Sequence, residues 1–401
     1  MEITGIITEY NPFHLGHQHH LEMAKKDTNC DGVICIMSGN FMQRGIPAIT
    51  DKWTRAKMAV ENGTDLVIEL PLVYSISSAE SFAEGAVKIL NKTGVVKHIY
   101  FGSEHGKIEQ LNQIASTLLN EPDKFKSVLK QELNRGLPFH TARSMALREF
   151  LSGIPCDEII SNSNNILAIE YIKALKKINS SIIPKTLKRA GSNYNDTEIK
   201  TDYPSATSIR AFLNTTNDLS KLKTSLPKAS YKALENIVNN NCKLVSENDI
   251  FPFLRYKILT EGEKINKVLG VKEGIDNKIL KEILNAKNLN DLILRIKSKR
   301  YTYTRISRIL ISFFIGLENY DCTDLIEDDT NYIRPLAFNS VGSKILKEIK
   351  KKNEINIITK ISKEIIDTKL ETDLLGTKAY SILNNSISPY DDYYKSPIFL
   401  K

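Results

Sequence analysis

The sequence predicts an α/β protein whose N-terminal part is a Rossmann-like, doubly wound domain with a parallel sheet. The strand-like runs are Ile3–Thr8, Gly32–Met37, Leu66–Leu70 and His98–Phe101, and the helical patterns between them are His17–Lys26, Asp51–Glu61 and Ala79–Asn91. Strands that alternate with helices of about ten to fifteen residues indicate βαβ units and a parallel sheet. The continuous apolar run 33–37 is typical of a strand covered on both faces.

Start and stop signals support these helices. Asp51 and the Ser77-Ser78 pair stand where N-caps belong, and Gly63 and Gly94 stand where helices end. Because the caps agree with the apolar periodicity, they predict where the helices begin and end.

The rest of the chain predicts a mostly helical region followed by a small mixed α/β module. Up to the first boundary the predicted elements are helices from Lys107 to about Phe150 and at Asn164–Ile178, a strand at Ser181–Lys188, the turn-rich segment Ala190–Pro204, and a helix opened by Ser205 that ends near Asn214. Helices continue to about Gly316, and after it come strands at Ile333–Phe338 and Ile355–Thr359 with helices from Gly342 and near Ala379–Leu383. We expect three domains, at 1–215, 216–330 and 331–401.

Composition predicts a soluble globular protein. Of 401 residues 41% are hydrophobic and 25% charged, and no apolar stretch reaches the ~20 residues of a membrane span. The five cysteines are dispersed without CxxC spacing, which favours reduced thiols over zinc or disulfides: Cys30, Cys35, Cys156, Cys242 and Cys322. We expect a cytoplasmic protein with no membrane contact, and the sequence indicates neither a metal-ligand set nor an obligate protein partner.

A net charge of +8 suggests an acidic partner, and the distribution of the cations says more than their number. The stretch 295–308 mixes cations with aromatic and hydroxyl groups, and its candidates for contacting nucleic acid are Lys297, Lys299, Arg300, Arg305 and Arg308. Arg305 and Arg308 are three residues apart and so share a helix face. The alternative is a solvated amphipathic helix with Ile306 and Ile309 packed inward. A second basic face covers 344–352.

The most specific motif is Thr8-Glu9-Tyr10-Asn11-Pro12-Phe13-His14-Leu15-Gly16-His17, which follows the first strand and opens the first helix. Ligands of open parallel sheets bind at the carboxyl ends of the strands. A helix N-terminus there offers unpaired N–H groups, and Gly16 permits close approach of a phosphate. His14 and His17 can donate Nε2–H bonds to phosphate oxygens as charge grows at the α-phosphorus. The alternative is a pair of helix-capping surface histidines.

A second motif, Ser205-Ala206-Thr207-Ser208-Ile209-Arg210, comes near the end of the first predicted domain. Hydroxyls at a helix start cap it and bind phosphate, and Arg210 can hold the β- and γ-phosphates or departing pyrophosphate. An ordinary serine-capped helix with a solvated arginine is the alternative.

Together these motifs resemble those of the HIGH-type nucleotidyl transferases. Across the whole chain the sequence is similar to the tRNA(Met) cytidine acetate ligase family. The matching segments, besides Ile6–His17, are Met37–Gly45, Ile68–Pro71, Phe101–Glu104, Asn164–Tyr171, Thr304–Arg308 and Arg334–Asn339. The resemblance implies that acetate is activated with ATP as acetyl-adenylate and then transferred to the wobble cytidine of elongator tRNA(Met).

The resemblance also implies a set of site residues. His14, His17 and Arg210 would be catalytic, and the ATP-binding residues would be Ile7, Thr8, Glu9, Tyr10, Asn11, Pro12, Phe13, Leu15, Gly16, Gln18, His19, His20, Gly102, Asn164, Asn165, Arg189, Ser205 and Thr207. Spacing does not decide which of Asn164 and Asn165 contacts ATP. Mg²⁺ is expected to accompany the ATP phosphates, and acetate rather than acetyl-CoA is expected as the acyl donor.

Two residue groups and two other functions stay open. Asn40, Gln43 and Arg44 bind acetate or tRNA, or they form a structured polar loop, and Glu69 is either catalytic or a buried structural acid. The alternative enzyme is an adenylyltransferase for a mononucleotide or a pantothenate-type molecule, which leaves the basic C-terminal half unexplained. A non-enzymatic RNA-binding protein on a nucleotide-binding scaffold is the other alternative, and the intact histidines and Arg210 argue against it.

Overall fold

The computed structural model describes residues 1–189, 204–216, 218–352, 355–362 and 367–401. Its strands are β1 (Ile3–Thr8), β2 (Gly32–Ser38), β3 (Phe41–Met42), β4 (Ile46–Pro47), β5 (Leu66–Leu70), β6 (Val96–Ser103), β7 (Ile183–Lys188), β8 (Tyr332–Ile333), β9 (Pro335–Phe338), β10 (Asn356–Ile357) and β11 (Ile398–Phe399). Seven of them form the main sheet in the order β11-β9-β5-β2-β1-β6-β7. Every neighbouring pair in it is parallel except β5 and β9.

Helices cover both faces of this sheet. The α-helices of the described residues are α1 (Leu15–Thr28), α2 (Lys52–Glu61), α3 (Leu72–Ser75), α4 (Ala79–Lys92), α5 (Ile108–Asn120), α6 (Asp123–Asn134), α7 (Phe139–Phe150), α8 (Cys156–Ser161), α9 (Ser163–Lys177), α10 (Ala206–Leu213), α11 (Lys228–Asn239), α12 (Phe251–Glu261), α13 (Ile275–Glu282), α14 (Leu289–Ile296), α15 (Tyr303–Ile315), α16 (Cys322–Glu327), α17 (Ser340–Lys352), α18 (Thr368–Leu383) and α19 (Asp391–Tyr394). In the part of the chain that the structure describes, none of them has the length and apolar character to span a membrane.

The predicted α/β fold with a mostly parallel sheet is confirmed. β1 and β5 have the predicted bounds, and β2 is buried along its whole length, as expected for a strand covered on both faces. The predicted caps form as well: the Asp51 carboxylate accepts hydrogen bonds from the backbone N–H of Trp53 and Thr54, both at 3.0 Å. Of the predicted turn-rich segment, residues 190–203 lie outside the described part.

The predicted mixed module at the end of the chain contributes strands to the main sheet. β9 pairs antiparallel with β5, and β11 pairs parallel with β9, so two of its strands extend the main sheet. The predicted strand Ile333–Phe338 is split at Arg334, which leaves Tyr332–Ile333 to pair with β10. Strands this short bury little area alone, and β9 places Leu336 and Ala337 in the core of the main sheet instead. The three domain boundaries stay predictions.

The predicted helical region packs on the loops at one edge of this sheet. Side chains of α12, α14 and α15 share an apolar cluster with Phe41 and Met42 of β3 and with Leu72 of α3. The loop after β2 and the helix α15 meet at Gly45, where a Cβ atom would lie 2.4 Å from the backbone nitrogen of Arg308. Because the two segments lie directly against each other and the φ of Gly45 is +77°, only glycine fits at this position.

A buried charge network ties the end of the chain to the sheet. Lys52 Nζ lies 2.7 Å from Glu69 Oε1 and 2.8 Å from Asp392 Oδ1. Arg334 completes the network: its Nη1 lies 3.2 Å from Glu69 Oε2 and its Nη2 lies 2.6 Å from Asp392 Oδ1. All four side chains are at most 5% exposed. Glu69, for which the sequence left two roles open, joins β5 to Lys52 of α2 and to Arg334 just before β9, and both of these pair with Asp392 of α19.

We predict that Lys52→Met lowers the free energy of unfolding by about 3–5 kcal/mol, because it leaves two buried carboxylates with one guanidinium. Lys57→Met, on the same helix, is the matched control. Lys57 pairs with Glu61 at 3.7 Å on the surface, so its loss should cost below about 1 kcal/mol. Urea denaturation of both variants measures the difference, and equal effects would contradict a stabilising network.

Candidate active site

The loop between β1 and α1 is held in place by its own buried side chains. Tyr10 and Phe13 are 1% and 0% exposed, and their rings pack with centroids 4.6 Å apart. Asn11 Oδ1 accepts a hydrogen bond from the backbone N–H of Ile49 at 2.8 Å. Any contact of Tyr10 or Phe13 with a nucleotide would therefore come from the backbone, while their side chains fix the course of the loop.

Arg55 of α2 fixes this loop to the one after β2. Its guanidinium is completely buried and donates to the carbonyls of Glu9 (2.7 Å), Ser38 (3.1 Å) and Thr50 (3.2 Å), and to that of Gly39. Burial lowers the pKa of Arg55. Sequence analysis missed this residue because nothing in its neighbourhood distinguishes it from a surface arginine of an amphipathic helix.

His14 and His17 form the start of α1 with a defined arrangement of their protons. His14 Nδ1 accepts a hydrogen bond from Gly16 N at 3.1 Å, and His17 Nδ1 accepts one from His14 N at 3.3 Å. Since both Nδ1 atoms are acceptors, each neutral ring carries its proton on Nε2. The two rings are stacked 3.7 Å apart, so both Nε2–H donors belong to one compact unit at the end of β1.

The electrostatic surroundings keep these histidines neutral. Burial, and then the charges of Arg189 and Arg210, lower the pKa of His14 to about 3. Burial, and then His14 and Arg189, hold the pKa of His17 well below its usual value. Burial lowers the pKa of His20 to about 4 as well, and its ring packs 5.3 Å from that of Tyr100. Near neutral pH the predicted site therefore contains uncharged imidazole donors flanked by permanent cations.

The second predicted motif meets the first. Ser205 caps α10 by accepting a hydrogen bond from Ser208 N at 3.0 Å, as predicted for an N-cap. Arg210 reaches back to the first loop and donates to the carbonyl of Asn11 at 3.0 Å, while a second nitrogen lies 3.5 Å from Thr207 Oγ1. The Arg210 Nε is buried without a hydrogen-bond partner. The structure thus brings the cation of one motif beside the histidines of the other.

A third group of predicted residues comes together at the end of β6. The Arg189 side chain lies over Gly102, where a Cβ atom would approach it to 3.2 Å, so glycine leaves room for the arginine. Glu104 accepts hydrogen bonds from the backbone N–H groups of Asn164 (3.4 Å) and Asn165 (2.9 Å) at the start of α9. Asn164 Nδ2 also donates to Glu104 at 2.6 Å, and Asn165 Oδ1 accepts from His105 N at 3.0 Å. Which asparagine contacts ATP stays open.

Glu9 is an acid that directly follows β1. Burial raises its pKa, against the lowering effects of the Gln43 N–H and of Arg210. Its Oε1 accepts a hydrogen bond from Gln43 N at 2.7 Å, and the Gln43 side chain donates to the carbonyl of Ser77 at 3.1 Å. Gln43 is therefore tied into a polar loop, one of the two roles that the sequence left open for it.

The remaining predicted residues divide between the loop and the surface. Thr8 Oγ1 lies 3.0 Å from Cys35 Sγ, Gln18 Nε2 donates to Glu22 at 3.1 Å, and Leu15 N donates to the carbonyl of Ser225 at 3.2 Å. Ile7 and His19 are partly buried. Lys297, Lys299 and Arg300 are exposed.

Arg305 and Arg308 lie on one side of α15, as their spacing predicted, but that side is not open to solvent. Both are partly buried, and Arg308 Nη1 lies 3.4 Å from the carbonyl of Gln43, next to the candidate active site. Arg305 stacks over the Tyr301 ring at 4.1 Å. The packing of α15 against the loop after β2 explains the difference, because spacing along one helix does not show which neighbour covers it.

Comparison with known proteins identifies the family. The HIGH Nucleotidyl Transferase family matches residues 1–394. The chain is 50% identical, over 402 residues and 100% of both chains, to a protein of Clostridium novyi (strain NT) named tRNA(Met) cytidine acetate ligase. A protein of the same name from Clostridium perfringens is 47% identical over 409 residues, again covering 100% of both chains. The chain belongs to this ligase family.

Solved structures agree with that assignment to the ligase family. The crystal structure of Thermotoga maritima TmcAL in its apo form matches with a TM-score of 0.90 and 32% identity, covering 100% of both chains. A second structure of that protein, bound with alpha-thio ATP, matches with a TM-score of 0.88 and 31% identity, with the same coverage.

For this member of the ligase family we predict a pH-dependent stability that arises from His14. The unfolded chain takes up a proton near pH 6.5, whereas folded His14 does so only near pH 3. Unfolding is therefore coupled to proton uptake between these values, and stability falls as the pH drops below about 6.5. His14→Asn keeps an N-cap acceptor but does not titrate, so it should remove up to about 1.4 kcal/mol per pH unit of this dependence. Urea denaturation of wild type and His14→Asn at about pH 7 and pH 5 tests this. The same change of unfolding free energy with pH in both proteins would contradict it.

Proposed function

We propose that this chain is an ATP-dependent ligase that activates acetate as acetyl-adenylate and acetylates the wobble cytidine of elongator tRNA(Met) to N4-acetylcytidine. The observation that carries the chemistry is the pair of neutral histidines, His14 and His17, with both Nδ1 atoms bonded to backbone N–H groups. Two preorganised Nε2–H donors at the end of a parallel strand suit a transferring phosphoryl group. The names of the relatives support the choice of acetate and tRNA as substrates.

In the first half-reaction an acetate oxygen attacks the α-phosphorus of ATP, and pyrophosphate leaves. His14 and His17 donate to phosphate oxygens, and Arg189 and Arg210 supply positive charge beside them. Because the groups are fixed before the reaction, catalysis rests on positioning and charge stabilisation. No covalent enzyme intermediate is needed. Mg²⁺ is carried by the phosphate oxygens of ATP.

In the second half-reaction the exocyclic amine of cytosine attacks the acetyl carbonyl. The C–O bond to the phosphate breaks, AMP leaves, and the amine loses a proton. The lone pair of that amine is delocalised into the ring, which makes it a poor nucleophile and explains why the acyl group must be activated. A base taken out of its stack can reach such a site.

An adenylyltransferase for a small molecule remains the second candidate. It requires only the loop with His14 and His17, Arg210 and the end of β6, all of which lie together in the described residues. The relatives that the chain matches over nearly their full length are named for tRNA(Met) cytidine acetylation, which favours the ligase instead. Formation of N4-acetylcytidine in bulk tRNA, detected by mass spectrometry after incubation with ATP and labelled acetate, decides between the two.

We predict that His17→Ala slows acetate-dependent ATP–pyrophosphate exchange by about 10²- to 10³-fold, the effect of losing one preorganised donor. His17→Gln is the matched variant, because its side-chain amide keeps an N–H donor near the position of Nε2, and it should retain more of the activity than alanine. Urea denaturation verifies that both variants fold. A folded alanine variant with normal exchange would rule out this role for His17.

We also predict that acetate is the direct acyl donor. Label from acetate should enter tRNA only when ATP is present, and an equimolar amount of pyrophosphate should form. Labelled acetyl-CoA without ATP is the control and should transfer nothing. Transfer from acetyl-CoA under these conditions would show that the acyl group is not activated by adenylation.

A further inference from the structure

A cavity of about 270 Å³ lies where the start of α4 meets α15. Part of its wall is apolar and includes Val73, Ile76 and Ile309. Its polar lining includes Ser77, Ser78, Ser81, Arg305 and Arg308. A lining that combines apolar side chains with two guanidinium groups suits a ligand that has both a flat apolar part and an anionic part.

The two arginines have no carboxylate partner among residues 1–189, 204–216, 218–352, 355–362 and 367–401. Arg305 Nη2 donates to the carbonyl of Gly270 at 3.1 Å, and Arg308 Nη1 lies 3.4 Å from the carbonyl of Gln43. Burial, and then the charge of Arg305, lower the pKa of Arg308 to about 10, so Arg308 remains charged at neutral pH. Partly buried charges are ordinarily paired, and two neighbouring cations without a counter-charge form a site for an anion.

The start of α4 adds to this positive potential. Ser78 caps the 14-residue helix, and its hydroxyl lies 3.2 Å from both the N–H and the hydroxyl of Ser81. N–H and hydroxyl donors at a helix start, together with guanidinium groups that can bond two oxygens at once, fit a phosphate. The apolar wall fits the face of a nucleobase, as in proteins that bind unstacked RNA nucleotides.

The cavity is also directly connected to the candidate active site. Gln43 accepts from Arg308 with its carbonyl, donates through its side chain to the carbonyl of Ser77, and donates through its backbone N–H to Glu9. Two of these partners, Arg308 and Ser77, line the cavity, and the third lies at the end of β1. Gln43 thus links the lining of the cavity to the loop after β1, so a ligand in the cavity would lie on the side of the candidate active site.

We propose that this cavity binds the phosphate and base of a nucleotide next to the cytidine that is acetylated. The inference rests on the proposed function, since it names the contact that holds the RNA acceptor at the same site. It assigns Arg305 and Arg308 to one enclosed nucleotide rather than to an open basic face.

Arg308→Ala tests the proposal, with Arg295→Ala as the matched control. Arg295 carries the same charge on the neighbouring helix but is paired with Asp291 at 2.9 Å and is exposed. Arg308→Ala should raise KM for tRNA by about ten- to a hundredfold, because a charged hydrogen bond to phosphate is lost. It should also reduce the salt slope of tRNA binding by roughly one unit per phosphate contact. Equal behaviour of the two variants would overturn the proposal.

Ser81→Glu provides a second test that does not depend on removing a buried arginine. A carboxylate in the first turn of α4 favours the helix, so the free energy of unfolding should not fall. The same carboxylate lines the cavity beside Arg305 and Arg308, where it should exclude a phosphate and raise KM for tRNA as Arg308→Ala does. A folded Ser81→Glu enzyme with unchanged KM for tRNA would overturn the proposal.

Two probes, inorganic pyrophosphate and CMP, distinguish a site for free anions from a site for a nucleotide. Each is tested as a competitor of tRNA binding to wild type and to Arg308→Ala. The proposal expects CMP to compete with tRNA for wild type, and this competition to weaken in the variant. Competition by pyrophosphate alone, with KM for tRNA unchanged in Arg308→Ala, would show a site for free anions and overturn the proposal. If wild type forms no acetylcytidine with ATP and acetate, the proposed function itself fails. If it does, and both variants resemble wild type, only the cavity inference fails.

Discussion

The candidate active site depends on one buried guanidinium. Arg55 is bonded to carbonyl oxygens of Glu9, Ser38, Gly39 and Thr50, and it thereby joins the loops that follow β1 and β2. Both loops follow the carboxyl ends of parallel strands, and neither has enough regular structure to hold its shape alone. Carbonyl oxygens are neutral acceptors, so the arginine keeps its positive charge near the site without a bound carboxylate cancelling it. The same residue therefore sets both the geometry and part of the potential at this edge.

Charge and direction are supplied by different residues here. The cations are Arg189 and Arg210, whose charges lie close enough to His14 to lower its pKa. The histidines are uncharged, and a backbone N–H donates to the Nδ1 of each ring. These bonds fix the direction in which the Nε2–H groups point. Because burial keeps the imidazoles neutral, their Nε2–H donors do not depend on a proton equilibrium near pH 7. Such a division suits a reaction in which negative charge moves among phosphate oxygens.

Sequence patterns predicted the local part of this arrangement and missed the part made by contacts across the chain. The His14–His17 turn, the Ser205 cap and the buried strand β2 follow from neighbouring residues, and each lies where the pattern placed it. The role of Arg55 depends on four carbonyls that only the fold assembles. Likewise, the side of α15 that carries Arg308 is covered by a loop more than 260 residues earlier, as its contact with Gln43 shows. Helical periodicity describes one helix and contains no information about which surface packs on it.

The order of synthesis has a consequence for the charge network of Lys52. Two of its four members, Arg334 and Asp392, emerge from the ribosome long after the strands β1, β2 and β5 are complete. Until then Lys52 lacks its partner Asp392 and Glu69 lacks its partner Arg334. The edge of β5 where β9 will pair is also open. The nascent N-terminal sheet is thus incomplete as a folding unit, and a chain truncated before Asp392 leaves a lysine only partly neutralised in its interior. The network that joins β5 to α2 beside the candidate active site is therefore complete only when both Arg334 and Asp392, which are 58 residues apart, have been synthesised.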